Sequence, residues 1–310
     1  MSNVIKGLHH VTSMAADADV NNSFFTGTLG LRRVKKTVNF DAPEVYHLYY
    51  GDETGTPGSV MTYFPFGQMP AGKRGNGEVG ITEFAVPPGT LGFWKERLAA
   101  QGVTGLAASA FLGEARLEFD GPDGDSFALV EADPGGRAPW TGAGIAAETG
   151  ILGFHGARMR LRDAAATGEL LTFMGYQKDE RDGNITRYRI EGGNAADTID
   201  LEELPGASAA RQGAGSVHHI AFAVDDRASQ AEIRKTLLDT GYQVTPVIDR
   251  DYFYAIYFRT PGGVLFEIAT NEPGFDRDED TAHLGEALKL PTRYEPYRKQ
   301  IEQILPPIAA

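Results

Sequence analysis

From residue 217 the chain reads V-H-H-I-A-F-A-V, and from residue 8 it reads L-H-H-V-T-S-M. In both runs bulky apolar positions alternate with small or polar ones, the period-two pattern of a strand with two unlike faces. Ile220, Phe222 and Val224 make a bulky face suited to packing on a helix, while His219 shares its face with Ala221 and Ala223 and is expected to look into an open cleft. By the same parity His10 and Thr12 face the cleft and Val11 the helix. His10 and His219 are therefore expected to meet in space and hold a metal.

The pattern recurs along the chain. Strand-like runs at His10, Ile81, His155 and His219 each lead into a helix-like segment, over residues 18–29, 91–101, 164–174 and 228–240. Each helix is followed by a glycine and an apolar residue, Gly30-Leu31, Gly102-Val103, Gly175-Tyr176 and Gly241-Tyr242. A glycine there suits a left-handed C-terminal cap. Strands are expected over 46–50, 115–119, 186–190 and 254–258, and a turn and a last strand close each unit, as in G-P-D-G-D-S-F-A-L at 121–129 and T-P-G-G-V-L-F-E-I at 260–268. The fold class predicted is α+β, built of four tandem βαβββ modules.

A Gly/Pro/Ala-rich stretch over 134–149 reads as a linker. Two modules are thus expected in an N-terminal domain, 1–133, and two in a C-terminal domain, 150–271, followed by a tail, 272–310. In the tail an acidic run precedes a short amphipathic helix over 294–305, stopped by Pro306-Pro307. It is expected to pack on the exterior of a barrel, with a lid over the cleft as the alternative.

Composition removes several classes of function. With 29 basic against 42 acidic residues, a formal net charge of -13 and no basic stripe, neither nucleic acid nor an anionic membrane is an expected partner. There is no cysteine, so disulfides and thiolate metal sites are excluded and only oxygen and nitrogen ligands remain. The N-terminus lacks the basic region, apolar run and cleavage site of a leader, and no segment has the ~18 consecutive apolar residues of a membrane span. A cytoplasmic location is expected, and a homo-oligomer is left open.

The four units act as controls on one another. The cleft-facing position of the first strand carries His10, Ile81, His155 and His219, and the matching position of the last strand carries Thr62, Ala128, Asp200 and Glu267. The second unit is silent. Glu267 sits between Phe266 and Ile268, where an ionised carboxylate needs a positive partner. Two imidazoles and a carboxylate on one face, with open positions, suit non-heme Fe(II). His155, His219 and Glu267 form a rival triad. Thr62 is a poor fourth ligand, which counts against an isomerase that needs four. Tyr46, Tyr49 and Tyr50 read as core packing, and His47 and His283 as surface or structural.

L-H-H-V-T at 8–12, V-K-K-T-V-N-F-D at 34–41, Y-H-L-Y-Y-G-D at 46–52, V-H-H-I-A-F at 217–222 and L-F-E-I at 265–268 together resemble the vicinal oxygen chelate superfamily of glyoxalases, extradiol dioxygenases and antibiotic-resistance binding proteins. Within it they are most similar to the hydroquinone-type ring-cleaving dioxygenases. The resemblance implies two half-barrel domains, a cofactor of Fe(II), and the ligands His10, His219 and Glu267; Mn(II) in place of Fe(II) is left open by the sequence. It implies substrate contacts from His9, Thr12, His218, Arg250 and Tyr257, with Arg259 and Tyr254 one register slip away from the last two. His218, Tyr257 and Arg250 become the catalytic candidates, His218 or Tyr257 as proton acceptor and Arg250 as stabiliser of an anionic oxygen. In catechol-cleaving relatives the first ligand comes from the third unit, which keeps His155 in play. The implied activity is an extradiol-type ring cleavage that inserts O2 into a hydroquinone or related dihydroxybenzene. The alternatives are a metal-dependent isomerase or lyase of glyoxalase type, and a metal-free module that binds a small aromatic or an antibiotic.

Overall fold

Four copies of the strand–helix–three-strand unit account for nearly all of the regular structure in the computed structural model, which describes residues 4–309. Met1–Asn3, the start of the stretch read above for a leader, lie outside these residues. The first unit runs β1 (Ile5–Ala15), α1 (Ala18–Ser23), β2 (Arg32–Asn39), β3 (Ala42–Gly51) and β4 (Val60–Pro65). The second runs β5 (Glu78–Val86), α2 (Leu91–Ala100), β6 (Ala107–Phe111), β7 (Glu114–Asp120) and β8 (Ser126–Glu131). The third comprises β9 (Phe154–Leu161), α3 (Ala165–Phe173), β10 (Gln177–Asp182), β11 (Ile185–Arg189) and β12 (Thr198–Glu203). The fourth comprises β13 (Val217–Val224), α4 (Arg227–Asp239), β14 (Ile248–Asp249), β15 (Phe253–Arg259) and β16 (Leu265–Pro273). A last helix, α5 (Arg298–Ile304), lies in the tail.

Local chemistry sets the helix ends. Asp17 accepts from the amides of Asp19 and Val20 at the start of α1, and Asp226 accepts from Ser229 at the start of α4, so side chains satisfy amides that have no helical partner. Gly30, Gly102, Gly175 and Gly241 all have positive φ, as expected of the stop position. The first helix is expected to run to residue 29 but loosens into a π-turn over Phe24–Thr28, which brings Phe25 onto Tyr50 with ring centroids 5.0 Å apart.

The strands form two eight-stranded sheets. One has the order β14-β15-β16-β13-β1-β4-β3-β2 and the other β10-β11-β12-β9-β5-β8-β7-β6. The first unit therefore shares a half-barrel with the fourth, and the second with the third. Expected domains of 1–133 and 150–271 would pair sequence neighbours, and the sheets do not follow that grouping. The reason lies in the first strands: β1 joins β13 antiparallel, and β5 joins β9 in the same way.

That register positions the site. Thr12 lies opposite His219, and His10 opposite Ala221. With no irregularity between His10 and Thr12, the two histidines stand on one face of adjacent strands, diagonal to each other. β16 runs parallel to β13 with Glu267 beside Ala221, which brings the carboxylate to the same spot.

The tail packs outside. Leu288 bridges to Lys36, the Tyr46 hydroxyl donates to the Pro306 carbonyl, and Ile301 of α5 is buried. Arg293 and Tyr294 both donate to the Phe40 carbonyl and so hold the β2–β3 hairpin from behind. Among the described residues no helix is long and apolar enough to cross a membrane.

Candidate active site

His10, His219 and Glu267 converge with one ligand atom each inside a 4.8 Å group, all three buried. The Nε2 atoms of His10 and His219 are 3.4 Å apart, and they lie 3.3 and 2.9 Å from Glu267 Oε2. Glu267 is fully buried, yet neither of its oxygens receives a hydrogen bond in acceptable geometry among the described residues. A buried carboxylate without donors is costly. Burial pushes its pKa up, but the imidazoles of His10 and His219 outweigh this and hold it well below the usual carboxylate range. A divalent cation among these three atoms would satisfy the carboxylate and both nitrogens at once, so the residues present fit a metal.

The first histidine of each doublet orients the second. His9 Nδ1 lies 2.9 Å from His10 Nδ1, and His218 Nδ1 lies 2.7 Å from His219 Nδ1. Strict alternation would turn neighbouring side chains to opposite faces, and the rings instead meet edge to face, with centroids 5.1 and 5.0 Å apart. Burial, reinforced by the adjacent histidine, lowers the pKa of His9 to about 3 and that of His218 to about 4, so both are neutral near pH 7. If the second histidine offers Nε2 to a metal, its Nδ1–H donates to the first. The first histidine then carries its own proton on Nε2.

A cleft of about 350 Å³ opens over the triad, large enough for a small aromatic ring. Met14, Phe40, Phe64, Phe66 and Phe253 give it apolar walls, and Arg250, Tyr257 and His218 are among its polar groups, with Asp41, His47 and Gln212. Arg250 Nε donates to the Tyr257 hydroxyl at 3.3 Å and its Nη1 reaches Asp41 at 3.4 Å. Burial lowers the pKa of Arg250, but Tyr257 and Glu267 more than offset this and keep it charged. Burial, then Glu267, pushes the Tyr257 phenol well above its ordinary value, so it holds its proton. Tyr257 and Arg250 line the cleft, whereas Arg259 borders a separate cavity of about 730 Å³ on the far side of His218, and Tyr254 stacks under Arg227 at 4.2 Å.

Two residues expected at the substrate do not line the cleft. His9 backs onto another cavity beside Pro57 and Phe275, and Thr12 lies in the floor, 3.3 Å from Thr62. His155 is in the other half-barrel. Gly156 pairs with Glu83 and Phe154 with Phe84, so His155 is an extra residue in β9 and Gly156 takes the place that corresponds to His219. His155 Nε2 instead lies 3.3 Å from Glu114. There a buried ionic cluster fills the place equivalent to the His10, His219 and Glu267 triad, with Arg116 on Glu83 at 2.8 Å and Arg187 on Asp200 at 2.8 Å.

Sequence reasoning missed His47. It is buried, lines the cleft, and bonds Tyr49 and Thr62 at 2.7 Å each. The signal was its parity with Tyr49 in Y-H-L-Y-Y, which puts both on the cleft side of β3. His283 is exposed and paired with Glu286, as expected of a surface residue.

The sheets, the repeat and the site define a class. The chain belongs to the Glyoxalase/Bleomycin resistance protein/Dioxygenase superfamily, whose model matches residues 120–268, and relatives match nearly its whole length. It is 42% identical over 308 residues to the Bacillus subtilis (strain 168) protein named "Putative ring-cleaving dioxygenase MhqO", covering 99% of this chain and 98% of that one. It is 37% identical over 309 residues to the Sphingobium indicum "Chlorohydroquinone/hydroquinone 1,2-dioxygenase", covering 96% and 95%. A solved Bacillus subtilis structure, described as a "putative dioxygenase", superposes with a TM-score of 0.95 at 42% identity, covering 98% of each chain.

Proposed function

We propose that this protein is an Fe(II)-dependent ring-cleaving dioxygenase of extradiol type, acting on a hydroquinone or related dihydroxybenzene. One observation carries the reading: two imidazoles and an unsatisfied buried carboxylate face an apolar-walled cleft that also holds a charged arginine. The names of the relatives agree with it. His10, His219 and Glu267 are the ligands in this reading, and oxygen and nitrogen donors suit iron, with manganese as the alternative. When bound, the metal supplies open positions for a phenolic oxygen and for O2 and acidifies the phenol.

The chain's own residues do the rest. Phe40, Phe64 and Phe253 wall the ring and exclude water. Arg250, the Tyr257 hydroxyl and His218 Nε2–H supply hydrogen bonds to negative charge that develops on oxygen. His218 and Tyr257 are here donors rather than proton acceptors, because the Nδ1 lone pair of His218 faces His219 and the phenol of Tyr257 keeps its proton. His9 holds His10 in the tautomer that offers Nε2. In the overall reaction the bond between a hydroxylated carbon and its neighbour breaks and both atoms of O2 enter. One end leaves as a carboxylate and the other as an aldehyde.

A glyoxalase-type reaction is disfavoured because Thr62, at the fourth ligand position, is engaged by His47 and Thr12. A metal-free binder would gain nothing from a buried carboxylate without donors. The test is anaerobic loading with Fe(II) followed by oxygen-electrode assays over hydroquinones and catechols. Uptake with hydroquinones, lost together with bound metal in His219→Ala, is expected. Retention of less than about one metal per ten chains refutes the enzyme reading.

A further inference from the structure

We propose that His47 is a positioning residue that fixes the direction of a buried hydrogen-bond chain, from Tyr49 through His47 and Thr62 to Thr12, so that the chain ends on an uncommitted Thr12 proton beside His10. The chain spans three neighbouring strands. Thr62 lies beside Thr12 on one side and opposite Tyr49 on the other. Tyr49 stands to Thr62 as Tyr257 stands to Glu267, so the chain occupies the place where a fourth ligand and its neighbour would be.

Four facts fix the polarity. Tyr49 is fully buried, and its hydroxyl has one partner among the described residues, His47 Nδ1 at 2.7 Å. Burial, with a further push from Tyr257, raises the phenol well above its ordinary pKa, so Tyr49 keeps its proton and points it at Nδ1. Burial likewise holds His47 neutral, so an imidazole that accepts at Nδ1 carries its hydrogen on Nε2. That hydrogen goes to Thr62 Oγ1 at 2.7 Å, and the buried Thr62 hydroxyl then has one side-chain acceptor within reach among the described residues, Thr12 Oγ1 at 3.3 Å, so the direction that satisfies Thr62 runs from Thr62 to Thr12. The reverse direction would leave the Tyr49 proton buried without an acceptor, the expensive arrangement. The imidazole has little freedom to turn, being packed against Tyr49 and Phe64 with centroids 4.0 and 4.3 Å away.

The Thr12 proton is then the one unclaimed hydrogen of the chain among the described residues, on the same face of β1 as His10. Any use of that hydrogen in turnover rests on the ring-cleaving reading; the polarity of the chain does not.

The test reads the His47 tautomer by NMR of the full-length protein with isotope-labelled histidine nitrogens, with the signal assigned by its loss in His47→Gln. A neutral ring protonated on Nε2, with an Nδ1 signal that moves in Tyr49→Phe, is expected. A ring protonated on Nδ1, or an Nδ1 signal unmoved in Tyr49→Phe, overturns the proposal. This readout needs no turnover, so it decides the polarity of the hydrogen-bond chain even if the protein cleaves no dihydroxybenzene. In turnover assays His47→Leu is expected to lower kcat by about tenfold or more with KM little changed. His47→Gln, whose amide can donate from near the Nε2 position, is expected to restore most of it. Equal loss in both variants, or loss confined to KM, also contradicts the proposal.

Discussion

Replacing Glu267 with glutamine separates a metal site from an ordinary buried acid, because only a metal site gives the wild type a gain in stability that the variant lacks. Both carboxylate oxygens are buried without a hydrogen-bond donor, and the side chain has no solvent exposure. Such an unsatisfied group costs about 1–3 kcal/mol, more when charged. Glutamine has the same shape, no charge, and two hydrogens that can face the imidazole nitrogens. The neighbouring imidazoles already favour the ionised carboxylate, and losing that attraction offsets the relief of the unsatisfied oxygens, so metal-free Glu267→Gln is expected to lie within about 1 kcal/mol of metal-free wild type. Metal separates the two. At a concentration one hundred times Kd, a bound ion stabilises the folded state by about 2.7 kcal/mol, and at roughly 2 °C per kcal/mol this raises Tm by about 5 °C. The variant lacks the anionic ligand and is expected to gain almost nothing. Thermal unfolding followed by circular dichroism under anaerobic conditions, with and without Fe(II) or Mn(II), measures both quantities. A variant that gains as much from metal as the wild type does would refute the reasoning.

Three further outcomes are expected. Arg250→Met should lower kcat by about a hundredfold or more through loss of a charge-stabilising donor, with metal content unchanged, as steady-state oxygen uptake and metal analysis can check. Burial raises the pKa of Asp125 from 3.8 to about 6 even though it accepts from the Tyr63 hydroxyl at 2.8 Å. Because the unfolded chain ionises first, stability falls as pH rises from about 3.8 to about 6 and then levels; urea unfolding of Asp125→Asn should lack that fall and be more stable by up to about 3 kcal/mol above it. Lys35 is fully buried, with Asp278 at 2.7 Å and Glu279 at 2.5 Å. Lys35→Met should cost about 3–5 kcal/mol and open the tail near residues 277–290 to limited proteolysis, and an uncleaved tail would show that this anchor is dispensable.

The repeat was readable in the chain because each unit repeats the same physical solution: alternation in its first strand, a capped helix, and a glycine that ends it. The proposed ligands were readable for a related reason, since strand parity places His10 beside Thr12 and His219 beside Ala221 and Ala223 on faces that leave room for a cleft. Parity could not tell which strand lies beside which. The pairing of the first unit with the fourth is a long-range choice made by β1 and β13, and no local pattern encodes it. A one-residue irregularity in β9 was equally invisible; it matches the one at His218 in β13, so His155 is the counterpart of His218 and Gly156 stands in the place of His219. His47 escaped notice because its partner Thr62 comes from another strand, and only the register of β3 against β4 makes it a cleft residue. The first histidine of each doublet contradicted simple alternation because His9 and His218 are each the extra residue at an irregularity in the β1–β13 register, which turns each ring onto its neighbour's Nδ1.

The iron content of His10→Ala, measured beside that of His155→Ala after identical anaerobic loading, tests the central claim most directly, because the two histidines lie in different half-barrels. The expected result is an empty site in His10→Ala and close to one iron per chain in His155→Ala. A full site in His10→Ala, or an empty one in His155→Ala, would contradict the assignment of His10, His219 and Glu267 as the metal centre.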